Sequence, residues 1–217
     1  MNVEQARFNM IEQQIRPWDV LDTDVLALLA VVKREDFVPA AYRAMAFTDC
    51  ELPLPGGQQM LAPRVEARLL QELKVQRHEK VLEIGAGSGY MAALLGHRAQ
   101  RVITLESNAE LARFASDNLK RAGATNVTVR EADGAHGLAG EAPFDVILLS
   151  GSVAEVPQTL LDQLKVGGRL AAIVGEEPVM RAMLYTRSAE REFRSTVLFD
   201  TVAARLQGFE QRSGFVF

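Results

Sequence analysis

The chain has 217 residues, 48% of them hydrophobic and 24% charged, with a formal net charge of −4. Such a length allows one well-buried core with an appended lobe, and the composition is that of an ordinary soluble globular protein. The acidic balance removes any broad electrostatic reason to bind nucleic acid or an anionic membrane, and the single cysteine, Cys50, excludes an internal disulfide and suits a reducing cytoplasm.

Residues 1–75 read as a helical N-terminal lobe. The segment from Met1 to Ile15 is charged and lacks a continuous apolar run, so it is neither a secretory signal nor a membrane span. Val3, Phe8, Met10 and Ile11 give it a loosely amphipathic helix that stops before Arg16-Pro17, because the residue preceding a proline is pushed out of the helical region. A second helix is expected from an N-cap at Thr23 or Asp24 to about Lys33, burying Val25, Leu26, Leu29 and Val32. Trp18 is expected to pack the lobe, Glu35-Asp36 to be a solvated helix end and Cys50 to be a small packed residue. Leu52-Pro53-Leu54-Pro55-Gly56-Gly57 forbids regular structure and predicts a loop. Pro63 then suits the first turn of a helix carrying Val65, Leu69, Leu70 and Leu73.

From Lys80 the pattern alternates. Short apolar runs, β-branched at their centres, at 80–84, 101–106, 126–130, 144–150 and 168–174 predict parallel strands covered on both faces. Helices fill 89–98, 108–122 and 156–164, and the capping-box spacing of Ser107 to Glu110 marks where the second of these begins. Residues 178–207 read as two longer strands with Glu190-Arg191-Glu192 near the turn between them. The expected fold is α/β: a doubly wound, mostly parallel sheet over 76–217 with an antiparallel C-terminal hairpin, joined to the lobe as one structural unit. Three histidines, His78, His97 and His136, lack metal-ligand spacing, so no metal site is expected.

The densest signal is the decapeptide Val81-Leu82-Glu83-Ile84-Gly85-Ala86-Gly87-Ser88-Gly89-Tyr90. An apolar run ends in an acidic residue, and alternating glycines follow before a helix. Such glycines let the chain turn sharply and let a ligand approach main-chain N–H groups. A dinucleotide loop would place glycine or alanine where Tyr90 stands, which leaves the loop of S-adenosylmethionine (SAM) methyltransferases, a nucleotide site, or a plain strand-to-helix turn. In an open parallel sheet the ligand lies beyond the carboxyl ends of the strands. There the second strand ends at Glu106, whose carboxylate can accept both ribose hydroxyls of an adenosine. The third is followed by Asp133-Gly134, near the adenine amino group, and the fourth by Ser150. Solvated strand ends and helix caps account for one carboxylate, but not readily for three at matching positions. An NAD site would explain Glu106 but not Asp133 or Tyr90. SAM is the expected cofactor.

These residues also carry a resemblance. Lys33-Arg34-Glu35-Asp36-Phe37-Val38-Pro39 resembles the P-R-E-x-F-V-P segment of the protein-L-isoaspartate O-methyltransferases, a protein-repair family, and Leu52-Pro53-Leu54 resembles its L-P-I stretch. Val81 to Tyr90 is similar to its V-L-E-I-G-T-G-S-G-Y. Asp133-Gly134, Ala142-Pro143-Phe144-Asp145, Val156-Pro157, Gln163-Leu164, Gly167-Gly168 and Val174-Gly175-Glu176-Glu177 fall in the same register. The resemblance runs from about Met10 to Asp200. It implies a Rossmann-like class I SAM methyltransferase that esterifies a carboxylate of damaged aspartyl residues in a protein or peptide. It also implies that Gly85, Gly87, Ser88 and Gly89 shape the loop against the methionine part of SAM. Glu83 would organise the amino group, Glu106 the ribose and Asp133 with Gly134 the adenine, with Ser150 near the methyl.

The resemblance breaks on the acceptor side. Where the family has G-Q-T-I-S-Q-P, this chain has Gly57-Gln58-Gln59-Met60-Leu61-Ala62-Pro63, so Leu61 stands in place of the active-site serine. Thr201 to Phe209 does not clearly reproduce the family's V-R-F-V-P-L segment either. A carboxylate is already ionised at neutral pH and needs no general base, so the serine's service is orientation. Losing one such polar contact costs about 1–3 kcal/mol, roughly ten- to hundredfold in rate. Leu61, with Gln58 and Gln59, is expected to line the acceptor side, with an amide of Gln58 or Gln59 as the replacement donor; a core leucine beneath the Pro63 helix is the other reading of Leu61. Three functions stay open: an isoaspartyl methyltransferase with a rebuilt acceptor site, the same chemistry on a small or apolar acceptor, or a SAM-binding regulatory protein without catalysis.

Overall fold

The computed structural model describes residues 2–209. In the lobe, Asn2 caps α1 (Val3–Met10) by accepting from the Gln5 amide. The helix runs on through a π turn (Ile11–Ile15) and a 3-10 turn (Arg16–Trp18) and ends at Asp19, where φ is 59°. The stop expected before Arg16-Pro17 thus falls early, because Pro17 lies in the first turn of a new helical segment, where no N–H is needed. The cap of α2 (Thr23–Val31) is Asp22, whose carboxylate accepts from the Asp24 and Val25 amides, and Val25, Leu26, Leu29 and Val32 are buried as expected. Glu35 departs from expectation. The turn Arg34–Asp36 leaves Asp36 exposed but sends Glu35 inward to an ion pair with the buried Arg7.

The proline-rich stretch is more ordered than a loop. β1 (Leu52–Pro53) pairs antiparallel with β2 (Gln59–Met60), and the Leu54 amide donates to the Gln58 carbonyl at 2.8 Å. Gly56 and Gly57, with φ of 69° and 72°, make the reversal. This arch leads into α3 (Pro63–Leu73), which buries Val65, Leu69, Leu70 and Leu73.

Next come β3 (Lys80–Ile84), α4 (Tyr90–Arg98), β4 (Arg101–Glu106), α5 (Ala109–Arg121), β5 (Val127–Glu131), β6 (Phe144–Val153), α6 (Gln158–Leu161), β7 (Leu164–Glu176), β8 (Val179–Ala189) and β9 (Glu192–Asp200). The sheet order is β5-β4-β3-β6-β7-β8-β9; the first five strands are parallel and the last two antiparallel. The boundaries sharpen the sequence reading. Asn108 rather than Ser107 caps α5, accepting from the Glu110 and Leu111 amides. α6 is short because Leu164 already pairs with Phe144 as the first residue of β7. The hairpin's second strand ends at Asp200, and the chain beyond it returns to the sheet through a bridge between Ser152 and Arg205.

Strand alternation sends neighbouring residues to opposite faces. Val81, Val102, Val146 and Leu148 join Met10, Leu29, Phe37 and Leu69 in one buried cluster, so the lobe sits on that face. Leu82, Ile103, Ile147 and Leu149 pack on the other side with Leu160 and Leu161 of α6. Each such side chain contributes about 1.5–3 kcal/mol of burial. Along the same alternation, Glu83, Thr104 and Ser150 face the lobe side at the sheet's carboxyl edge.

Candidate active site

β3 lies between β4 and β6, and the chain crosses from β3 to β4 on one side and reaches β6 on the other. That switch point opens a crevice beyond the strand ends. The glycine loop lies across it. The Gly85 and Ala86 amides both donate to the Leu105 carbonyl, at 2.9 and 3.0 Å, folding the loop over the end of β4. Gly85 and Gly87 have φ of 91° and 52°, a region that side chains disfavour. From α5, the Asn118 side-chain carboxamide Nδ2 donates to the Ser88 carbonyl at 2.8 Å and fixes the far end of the loop.

Glu106 closes β4 with its carboxylate turned toward this loop. Its Oε2 accepts from the Gly87 amide at 2.9 Å and its Oε1 from the Asn108 amide at 3.1 Å. Glu83 is fully buried and accepts from the hydroxyls of Thr104 and Ser150, each at 2.7 Å. Burial pushes its carboxyl up to about 7, against the opposing pull of the Ser150 and Thr104 hydrogen bonds. A carboxylate held there without a cation resists ionisation, and an arriving ammonium would relieve it. At the end of β5, Asp133 accepts from the Ala135 amide at 2.9 Å in a tight local turn. Gly134 packs so closely on β3 that a Cβ there would lie 2.3 Å from Ile84 Cγ2.

Gln58, Gln59, Gly85, Gly87, Glu106, Gly134 and Ser150 line one cavity of about 490 Å³, part of it open to solvent. Beside it, a smaller hollow of about 260 Å³ is lined by Leu61, Glu83 and Ser88 together with Leu54, Met60, Glu66 and Met91. The structure therefore brings together nearly all of the residues singled out in the sequence. Gly89 and the Asp133 side chain stand apart from both linings. Gly89 instead packs on α5, where a Cβ would meet the Ala115 carbonyl at 3.1 Å, and Asp133 lies against Gly208.

Leu61 is buried, and its carbonyl accepts from Arg34. It is a core side chain and a wall of the hollow at once, so its two readings merge. Leu206 and Gln207, which no sequence motif marks, also line the larger cavity. They arrive on the C-terminal segment, held where the Leu206 amide donates to the Ser152 carbonyl at 2.9 Å and the Ser152 amide to the Ala204 carbonyl at 2.8 Å. The one signal for this in the sequence is glycine at 85 and 151. A Cβ at either position would fall within 2.8 Å of the Leu206 side chain.

The donor set fits SAM. Glycines remove the side chains that would fill the cradle, Glu106 retains lone pairs for vicinal hydroxyls, and Glu83 offers a buried carboxylate to an ammonium. Trp18 is outside this site, stacked under Arg64 at 4.1 Å and edge-on to Phe199 of β9 at 6.0 Å, which is lobe packing.

Comparison with known proteins agrees with this geometry. Residues 5–206 match the model of the family described as protein-L-isoaspartate(D-aspartate) O-methyltransferase. The chain is 42% identical over 194 residues to a protein-L-isoaspartate O-methyltransferase of Koribacter versatilis, covering 89% of this chain and 87% of the relative. It is 40% identical over 190 residues to protein-L-isoaspartate O-methyltransferase 1 of Syntrophobacter fumaroxidans, covering 88% of this chain and 89% of the relative. In fold it is similar to a solved putative protein-L-isoaspartate O-methyltransferase of Plasmodium falciparum in complex with S-adenosyl-L-homocysteine. The TM-score is 0.77 at 22% identity, covering 93% of this chain and 98% of the other.

Proposed function

The chain belongs to the protein-L-isoaspartate(D-aspartate) O-methyltransferase family, and from that premise we propose that it methylates the carboxylate of isoaspartyl residues through a rebuilt acceptor site. It is a SAM-dependent methyltransferase. The observation that carries the acceptor assignment is a shared lining: Gln58 and Gln59 face the same cavity as Gly85, Gly87 and Glu106.

When bound, SAM supplies a sulfonium methyl to an oxygen of the acceptor carboxylate, leaving a methyl ester and S-adenosylhomocysteine. The acceptor is already ionised near neutral pH, so no residue of this chain has to remove a proton. The work left to the protein is to hold, orient and exclude water. The glycine loop would take the methionine portion, Glu83 its ammonium, Glu106 the ribose hydroxyls and Gly134 the adenine, with the Asp133 side chain bracing that turn through the Ala135 amide. Ser150 stays hydrogen-bonded to Glu83 and keeps that carboxylate aimed. The carboxamides of Gln58 and Gln59 donate to the acceptor carboxylate in place of the family's serine hydroxyl. Leu61 contributes an apolar wall and no chemistry.

The apolar side chains Leu54, Met60, Leu61 and Met91 around the smaller hollow favour a second reading, a small or apolar acceptor. The substrate of the first reading is a damaged protein segment, and the lone Cys50 suits work in a reducing cytoplasm. The test offers labelled SAM with an isoaspartyl peptide and its normal aspartyl twin. Preferential labelling of the isoaspartyl peptide supports the proposal. Intact SAM binding with no labelling of either peptide would reject it, and labelling of small acceptors instead would move the assignment to the second reading.

A further inference from the structure

One buried cation stands between the acceptor arch and the glycine loop with no part in the chemistry above. Arg34 is fully buried on the turn that follows α2. Its Nη1 donates to the Glu66 carboxylate on α3, and its Nη2 donates to the Leu61 carbonyl at 2.7 Å. Its guanidinium carbon also lies 5.2 Å from the ring centroid of Tyr90, the residue that opens α4 directly after the glycine loop. One planar fork thus touches the acceptor segment, α3 and the start of α4.

Stability is a poor explanation for such a pair. Desolvation of two buried charges consumes most of what their attraction returns, and well-packed apolar residues of like volume often hold a core as well or better. Apolar residues cannot hold a backbone carbonyl, whereas a guanidinium can serve a carboxylate and a carbonyl together from separate nitrogens. Glu66 and Leu61 line the same hollow as Glu83 and residues 85–88 of the loop, so the carbonyl held by Arg34 belongs to the wall facing the cofactor loop.

We infer that Arg34, oriented by Glu66, is a positioning residue for methyl transfer: it fixes the Met60–Ala62 backbone against the glycine loop and so sets the gap across which the acceptor is aligned. The inference rests on the methyl transfer proposed above. In-line displacement is sensitive to such a gap, since a misplacement of about 1 Å can cost about a hundredfold in rate.

The deciding variant is Arg34→Met combined with Glu66→Met, which removes both charges and leaves neither buried alone. It should fold, with a dissociation constant for S-adenosylhomocysteine within about threefold of wild type. Its kcat on the isoaspartyl peptide should fall about tenfold or more while KM changes less, because alignment rather than binding is lost. Amide hydrogen exchange across Met60–Ala62 should quicken. Arg34→Lys keeps the charge but lacks the fork, and should lie between the two. Wild-type kcat with unchanged exchange in the double variant would overturn the inference. Should the double variant fail to fold, Arg34→Lys decides, and wild-type kcat there would also overturn it. Absence of any isoaspartyl methylation by the wild-type chain would reject the parent reading, and the exchange comparison would still decide whether Arg34 holds the segment.

Discussion

Glu106→Ala probes the cofactor assignment where its geometry is most explicit. An ionised carboxylate has about four lone-pair sites, and the Gly87 and Asn108 amides occupy one on each oxygen of Glu106. About two remain, matching the two hydroxyls of a ribose. Hydrogen bonds to a charged group contribute about 1.5–3 kcal/mol each, and partial loss of both gives about 3 kcal/mol, or roughly a hundredfold in affinity. Alanine also frees the Gly87 amide that the carboxylate holds at 2.9 Å, which adds to the loss. Glu106→Gln keeps one acceptor oxygen and should lose about tenfold. The assay is calorimetric titration with S-adenosylhomocysteine, accompanied by a thermal melt. Affinity of the alanine variant within about threefold of wild type would refute the ribose role. A lowered melting point with unchanged affinity would reduce Glu106 to a tether for the loop.

Glu83 should make cofactor binding pH-dependent. Its carboxyl is raised to about 7 in the folded chain, above the ordinary value near 4.3, so the apo fold favours the protonated form. Its stability contribution is therefore greatest at low pH and declines as pH rises from about 4.3 toward 7. Glu83→Gln should then melt above wild type at pH 8 but lose that advantage at pH 4. Because an ammonium ligand favours the ionised form, wild-type affinity for S-adenosylhomocysteine should rise from pH 6 to pH 8, and the glutamine variant should flatten that rise; a flat wild-type profile would contradict the assignment. Leu61→Ser opens space in a packed site and should cost about 2–4 kcal/mol of stability, with at most about a tenfold gain in kcat/KM on the isoaspartyl peptide. A gain of about a hundredfold or more would mean that Gln58 and Gln59 do not orient the acceptor. Gly134→Ala places its Cβ 2.3 Å from Ile84 Cγ2, so overpacking should cost about 1–3 kcal/mol and weaken cofactor binding; an unmoved melting point would speak against that contact.

What the sequence made legible follows from how locally each feature is encoded. The strands of the parallel sheet announce themselves as short apolar runs, and the glycine loop, Glu106 and Gly134 fall at ends that the register then brings side by side. The caps fall at Asp22, one or two residues before the expected Thr23 or Asp24, and at Asn108, one after Ser107, because neighbouring Asp, Thr, Ser and Asn all suit the role and only backbone geometry selects among them. Glu35 reads as solvated from its charge alone, since its partner Arg7 lies on another element. Leu206 and Gln207 carry no motif of their own for the same reason, since they join the cavity through a long return of the chain to Ser152, and only the glycines at 85 and 151 hint at them. Leu61 shows the limit of a motif comparison. Its position reports what was lost, while its burial and the Arg34 bond to its carbonyl report what the backbone there still does.

The identity of the methylated product decides whether this chain esterifies isoaspartyl residues. The chain is incubated with labelled SAM and an isoaspartyl peptide, and the product is examined for mild-base lability. Label should appear on the isoaspartyl peptide and be released as methanol by base, with the normal aspartyl peptide left unlabelled. A base-stable product, or equal labelling of both peptides, would contradict it.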